Sequence, residues 1–226
     1  MAACKWCHRS GWFFSVNEHG LCKNCTPAIA LEVTSRGRVI NDSMDLVRKT
    51  KKLETALSRC DLIIQHAQAL KPYEDAGIAA VNPAPSVLIQ QYREKKDTLI
   101  REGLETEFQD VQAKVAMTPN YKTKTSFLSK LLLRARDFRA QTSDPRSLDS
   151  FERRVADSLH ATQLDGYLEQ AKRFEFKGNK KKALDAYYDA LYFLRHDDID
   201  DAAQTEHIKH LEQKILDLGG RLEGGP

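Results

Sequence analysis

Two pairs of cysteines near the N-terminus are the residues of this sequence best suited to chemistry. Each pair has two residues between its members and 14 residues separate the pairs, which consist of Cys4, Cys7, Cys22 and Cys25. Two such pairs can complete a tetrahedron of thiolates around one metal ion. Because four thiolates leave no open coordination position, we expect a structural zinc ion rather than a catalytic one.

Two other uses of paired cysteines are open at this stage. A rubredoxin-like site would hold iron with the same four thiolates, and a redox site would use one pair for thiol exchange, although the strand and helix of a thioredoxin-like site are not indicated here. We expect His8 and His19 to lie at the surface or to support the ligands rather than to bind the metal. The fifth cysteine, Cys60, lies on an apolar helical row and is expected to be buried.

The residues around the cysteines indicate a small finger. Gly11 suits a turn after the first pair, residues 12–16 suit a short strand, and residues 17–20 suit a hairpin turn. Thr26 and Pro27 suit the N-cap and the first position of a helix. This order resembles the treble-clef zinc fingers over about the first 30 residues, which implies a metal-held fold but no particular function.

The next segment predicts two long helices. Apolar residues recur every seven positions with no proline from residue 28 to about residue 70, at Val39, Leu46, Leu53, Cys60 and Ala67. We expect one unbroken helix there, and a second from a cap at Ser86 to about Met117 whose apolar row shifts after Leu99, which indicates a change of partner or a stutter. Residues 28–118 therefore predict a long antiparallel hairpin with coiled-coil-like packing. The alternative is a parallel dimer through the first helix, so a homo-oligomer is left open.

Residues 119–226 predict a helical domain. We expect helices over residues 123–141, 147–161, 164–177, 180–195 and 202–218. Residues 164–197 resemble one tetratricopeptide repeat (TPR), with matches at Tyr167, Ala171, Phe174, Gly178, Ala183, Tyr187 and Ala190. Gln170 and Arg195 depart from that pattern. The resemblance implies a stacked helical hairpin and a groove for a protein partner, whereas an ordinary helical bundle is the alternative.

Side chains of the TPR-like segment supply candidate partner contacts. The residues expected to be exposed there are Phe176, Tyr188 and Tyr192. The chain also resembles an uncharacterised bacterial family of zinc-finger helical proteins, chiefly in residues 184–194, and this resemblance implies architecture only.

Charge is unevenly distributed along the chain. The sequence contains 35 Lys and Arg against 32 Asp and Glu, a net charge of +3. By segment the net charge is +5 over residues 1–60, −3 over 61–119, +7 over 120–182 and −6 over 183–226. The basic segments favour an alternative function in nucleic-acid binding. Phosphate contacts would then come from Lys5, Arg9, Lys23, Arg36, Arg38, Lys180, Lys181 and Lys182.

Several function classes find no support in the sequence. No apolar run suits a membrane helix, and the first residues do not resemble a secretory signal, so we expect a cytoplasmic protein. Phosphate-binding loops, dinucleotide-binding turns and the metalloprotease and hydrolase motifs are absent. We therefore predict a mainly α, non-enzymatic zinc-binding adaptor for a protein partner. Its domains would be a treble-clef finger (residues 1–27), a helical hairpin (28–118) and a TPR-like bundle (119–226).

Overall fold

Residues 2–197 and 199–222 are described by the computed structural model, and this part of the chain is mainly helical, as predicted. Its α-helices are α1 (Cys25–Lys49), α2 (Leu53–Asp75), α3 (Pro85–Met117), α4 (Tyr121–Arg139), α5 (Asp149–Phe176), α6 (Lys180–Arg195) and α7 (Asp201–Asp217). A short 3-10 helix, Pro145–Leu148, precedes α5. None of the described helices combines the length and the hydropathy that a membrane span requires.

The chain divides into two compact units. The first consists of Met1–Thr106 and Asp137–Leu148, and the second of Glu107–Arg136 and Asp149–Pro226. The boundaries predicted from the sequence, after residues 27 and 118, stay predictions.

Helix α3 contributes to both units. Leu88, near its start, belongs to the core of the first unit. Phe108, near its end, contacts Phe151 of the second unit edge-on, with the ring centroids 5.9 Å apart. The boundary between the units in α3 lies after Thr106, and Gly103 still packs against Leu53 of α2, so the origin of the shift after Leu99, a change of partner or a stutter, stays a prediction.

Helices α1 and α2 form an antiparallel hairpin, not the single helix that the sequence predicts. After Lys49 the backbone becomes extended, with ψ of 141° at Thr50 and 116° at Lys52. The Lys52 N–H donates to the Thr50 hydroxyl at 3.1 Å, and such a local bond competes with a further helical turn. Helix α2 then packs back on α1. The prediction of an unbroken helix to about residue 70 is wrong, because the apolar row is divided between two helices that pack against each other.

The hydrophobic core of the first unit includes the finger. One cluster of buried residues contains Cys4, Leu21, Cys22, Ile29, Ile40, Ile63, Ala67, Leu70, Tyr73, Ile78 and Leu88. The Trp6 ring lies against the Tyr73 ring, with centroids 4.6 Å apart. The Lys5 ammonium donates to the Gly77 carbonyl oxygen at 2.8 Å. The cysteine-rich segment therefore shares its core with α1 and α2.

The second unit is built around a hairpin of α5 and α6. The turn between them has Gly178 at φ 70°, a backbone conformation that a side chain disfavours. Small residues line the contact, since Ala171, Ala183 and Ala190 are fully buried, and α7 packs on α6. Helix α5 is continuous, so the predicted break near residues 162–163 is wrong. The apolar face continues there through the buried Leu164.

Two predicted helix caps are also corrected. Thr26 lies in the first turn of α1, where its hydroxyl donates to the Cys22 carbonyl oxygen at 2.9 Å. Ser86 lies in the first turn of α3, where its N–H and its hydroxyl both donate to the Glu74 carboxylate, at 2.8 Å and 2.5 Å. In both places a side-chain bond to the preceding segment lets the helix begin one residue earlier than the predicted cap.

Candidate metal centre

The sulfur atoms of the two cysteine pairs converge in the first unit. The Sγ atoms of Cys4, Cys7, Cys22 and Cys25 all lie within 4.8 Å of one another. The Sγ atoms of Cys7 and Cys22 are 3.8 Å apart. A tetrahedral ion with bonds of about 2.3 Å to sulfur also places its sulfurs roughly 3.8 Å apart. The donor set therefore fits a zinc ion.

Backbone hydrogen bonds hold the first cysteine pair in a tight turn. The Cys4 N–H donates to the Arg9 carbonyl oxygen at 3.0 Å, and the His8 N–H donates to the Cys4 carbonyl oxygen at 2.9 Å. His8 has φ 59°, which is uncommon for a residue other than glycine. Its side chain is exposed, as is that of His19, in agreement with their predicted place at the surface.

A loop and a helix start position the second pair. The Asn17 side-chain oxygen accepts from the N–H groups of His19 at 3.0 Å and Leu21 at 2.9 Å. Residues 17–20 therefore form a turn, as predicted, but not the turn of a β-hairpin, because residues 12–16 form no strand. The Cys25 N–H donates to the Cys22 carbonyl oxygen at 3.1 Å as α1 begins. This second pair is linked to the first, because the Cys22 N–H donates to the Cys4 sulfur at 3.4 Å.

The strand predicted at residues 12–16 is not formed. The Phe14 N–H donates to the Gly11 carbonyl oxygen at 3.3 Å, which closes a turn. In the described part of the chain, β-type backbone pairing is limited to an isolated antiparallel bridge between Ala3 and Ser10. Trp12 is 91% exposed and Phe13 is fully exposed, whereas Phe14 and Val16 pack against the core cluster of the first unit, so the segment contacts the core without a neighbouring strand to hold it extended.

The environment sets different pKa values for the cysteine thiols. Burial works against ionisation of Cys4, but N–H groups of Cys7, Cys22 and Trp6 directed at its sulfur lower its pKa to about 6. The N–H of Cys25 lowers the pKa of Cys22. Burial, followed by the neighbouring sulfurs, raises the pKa of Cys25 to about 12. Ionisation of the Cys25 thiol near neutral pH therefore needs a cation in the centre.

Cys60 lies apart from the metal centre. It is fully buried in α2, as predicted. Burial, and then the charge of Asp61, raises its pKa to about 11. An inert apolar role follows, because the thiolate is the reactive form.

Two residues of the predicted nucleic-acid set are engaged inside the first unit. Lys5 bonds to Gly77, and its aliphatic stem lies so close to Gly20 that a Cβ there would be 2.7 Å from it. Arg36 donates from Nε to Glu32 at 2.8 Å and lies 3.5 Å from the His66 ring nitrogen. The other residues of the predicted set in the first unit, Arg9, Lys23 and Arg38, are exposed.

The other predicted contact residues belong to the second unit. Lys180, Lys181 and Lys182 are exposed in the first turn of α6, where the Lys182 ammonium lies 5.8 Å from the Phe174 ring centroid. The three belong to a different unit from the cations of the finger.

The three predicted partner contacts differ in exposure. Phe176 is 93% exposed beside the hairpin turn, and Tyr192 is 65% exposed three turns along α6. The Tyr192 ring stacks on His196, with centroids 3.9 Å apart. Tyr188 is half-buried, because its hydroxyl donates to the Arg221 carbonyl oxygen at 2.6 Å. Phe176 and Tyr192 thus offer the most free surface of the three.

The second unit has a groove whose place, beside the start of α4, is not predicted from the sequence. It has a volume of about 650 Å³ and lies between the start of α4 and the C-terminal half of α5. The lining residues that bear on its chemistry are Tyr121, Lys122, Glu169, Arg173, Phe174 and Lys177. The lining positions in the C-terminal half of α5 and just after it recur at intervals of three and four residues, at Gly166, Glu169, Arg173 and Lys177, a periodicity that marks one helical face. That spacing was visible in the sequence, but the approach of α4 was not.

Comparison with known proteins leaves the family of this chain open. No protein-family model, no curated protein and no solved structure matches it.

Proposed function

We propose that this chain is a non-enzymatic adaptor, in which a structural zinc ion holds a treble-clef finger and a TPR-like surface binds a protein partner. The hairpin of α5 and α6 carries this proposal. Its helices meet through fully buried alanines, and it leaves Phe176 and Tyr192 exposed. Large aromatic side chains that remain exposed on a packed scaffold are typical of protein-binding surfaces.

The structural role of the metal follows from the donor set. Four cysteine sulfurs fill a tetrahedral site and leave no position for substrate or water. Cys4 and Cys22 are 1% and 5% exposed and lie in the core cluster of the first unit. The zinc ion would therefore stabilise the first unit.

The TPR-like assignment is supported by the placement of the matching residues. Tyr187 is 1% exposed, and the three alanines at contact positions are fully buried. Tyr167 and Phe174 pack at the edge of the same cluster, and Gly178 makes the turn. Helix α7, which packs on α6, would be the neighbour that a single repeat needs.

Affinity capture with the full chain tests the adaptor function. We expect the wild-type chain to enrich a protein from an extract of cells that express it, and the variant Phe176→Ser/Tyr192→Ser to lose that protein. The control is Leu133→Ser, which removes a leucine of α4 that is 60% exposed. Recovery of no specific protein, or equal recovery by the double variant, would contradict the proposal.

Nucleic-acid binding is the second candidate, and the exposed aromatic pair in the finger favours it. Trp12 and Phe13 offer free ring faces three and four residues after the exposed Arg9, and bases stack on such rings. The engagement of Lys5 and Arg36 inside the fold argues against it. Binding to a single-stranded oligonucleotide that weakens steeply with salt would support this candidate, and the absence of binding at low salt would remove it.

A further inference from the structure

The floor of the groove between α4 and α5 depends on one glycine. Gly166 is buried in the interior of α5. A Cβ at this position would lie 2.3 Å from Cδ2 and 2.6 Å from Cγ of Tyr121. The Tyr121 ring therefore rests directly on the backbone of α5, and this contact joins the start of α4 to α5.

The walls of the groove carry an excess of positive charge. Lys122 lies on the α4 side and Arg173 and Lys177 on the α5 side, against a single acidic residue, Glu169. All four side chains are exposed. Within residues 2–197 and 199–222, no ion pair or side-chain hydrogen bond engages the three cations. Their charge is available to a ligand.

The aromatic residues favour a peptide over a nucleic acid. One face of Tyr121 is covered by Gly166, and Phe174 packs against the core cluster beneath the Lys182 ammonium. Base stacking needs a ring with a free face, whereas an aliphatic side chain can bind against half-buried rings. The volume of about 650 Å³ is also within the range of small ligand sites.

We infer that this groove binds an acidic peptide segment of the protein partner, with an apolar side chain on the aromatic floor and carboxylates on Lys122, Arg173 and Lys177. The inference rests on the proposed adaptor function, which it deepens by giving the chemistry of the partner. Phe176, which is adjacent to Lys177 in the chain, is 93% exposed.

The test measures binding of a short fluorescein-labelled peptide of alternating glutamate and leucine to the full chain by fluorescence anisotropy. We expect the variant Arg173→Gln/Lys177→Gln to bind at least about fivefold more weakly than the wild type. The control, Lys180→Gln/Lys181→Gln, removes the same charge from the same hairpin outside the groove lining and should bind like the wild type.

Three results would overturn the inference. They are the absence of peptide binding, equal weakening by the control variant, and tighter binding of an oligonucleotide that competes with the peptide.

Partner capture separates this inference from the adaptor function. Equal capture of a partner by the wild type and by Arg173→Gln/Lys177→Gln would overturn the groove assignment and leave the adaptor function in place. Groove-dependent peptide binding by a chain that captures no partner would support the site and overturn the adaptor function.

Discussion

Single atoms decide the close contacts of this protein, as two glycines inside helices illustrate. Glycine in a helix interior lowers the stability of the helix by about 1 kcal/mol relative to alanine. Substitution by alanine can therefore be compared at the two positions. A Cβ at Gly37 would meet Val81 Cγ1 at 3.6 Å, an ordinary contact. A Cβ at Gly166 would meet Tyr121 at 2.3 Å. The same change should therefore have opposite effects at the two sites.

We expect Gly37→Ala to raise the free energy of unfolding by about 0.5–1 kcal/mol, because it improves helix propensity without a clash. Gly166→Ala should lower it by about 1–3 kcal/mol, because the Tyr121 ring must move. Urea denaturation of the two variants checks the pair. Stabilisation by Gly166→Ala would show that Tyr121 does not rest on α5.

Asp97 organises the turn after α4 in the first unit. Its carboxylate accepts from the Thr142 hydroxyl at 2.7 Å, from the Ser143 N–H at 2.9 Å and from the Ser143 hydroxyl. Burial works against its ionisation, but these bonds lower the pKa of Asp97 below the usual range. The carboxylate therefore stabilises the fold in its charged form.

Asp97→Asn should lower the free energy of unfolding by about 1–2 kcal/mol near neutral pH. The lowered pKa means that this stabilisation is present above the unfolded value of about 3.9 and is lost as pH falls through the folded value. The difference in the free energy of unfolding between the wild type and Asp97→Asn should therefore disappear in acid. Denaturant melts against pH measure it, with Asp42→Asn on the exposed face of α1 as the control. A difference in the free energy of unfolding that stays constant with pH would contradict the role of the charged Asp97 carboxylate.

Among the helices, the α1–α2 hairpin is the element whose pairing most affects the fold. The Tyr73 hydroxyl donates to Glu32 Oε2 at 2.5 Å. Burial, followed by this bond to Glu32, raises the pKa of Tyr73 to about 12. In one continuous helix two residues 41 positions apart would be separated by about 60 Å. Their contact is therefore a direct signature of the antiparallel hairpin.

A double-mutant cycle tests that pairing. Glu32→Gln and Tyr73→Phe should show a coupling energy of about 1 kcal/mol in the free energy of unfolding. The matched control pairs Glu32→Gln with Tyr92→Phe, which changes a different half-buried tyrosine, and should be additive. Additive effects of Glu32→Gln and Tyr73→Phe would favour the unbroken helix instead.

Across the whole molecule, metal binding is expected to stabilise one unit directly. All four cysteines of the candidate metal centre and both tryptophans, Trp6 and Trp12, belong to the first unit. Tryptophan emission therefore reports on the unit that holds the metal centre.

The purified chain should contain about one zinc ion, and Cys22→Ser should remove it and lower the tryptophan-detected midpoint of unfolding. Cys60→Ala changes the fifth, buried cysteine and should keep the metal. Elemental analysis and thermal melts with and without a chelator make the measurement. Full zinc content in Cys22→Ser, or loss of zinc in Cys60→Ala, would contradict the assignment of the ligands.

The sequence by itself determined the features that depend on neighbours in the chain. The spacing of the cysteine pairs predicted their convergence, and the turn at residues 17–20 closes through bonds between residues at most four apart. Helical periodicity predicted a mainly α fold, and Gly178 marked the turn between α5 and α6. The turns and the helices needed only local geometry, because they rest on contacts within one or two turns of chain, whereas the convergence of the cysteine pairs, separated by 14 residues, followed from their metal-ligand spacing.

Only the tertiary structure decided which surfaces meet. An apolar row of period seven suits one long helix as well as two helices that pack on each other. The periodicity therefore did not predict the break at Thr50. The Lys5 side chain bonds to Gly77, which is 72 positions away in the chain. The Tyr121 ring lies against Gly166, which is 45 positions away. Charge and exposure at such positions depend on which distant residue packs there, and composition and spacing do not encode that choice.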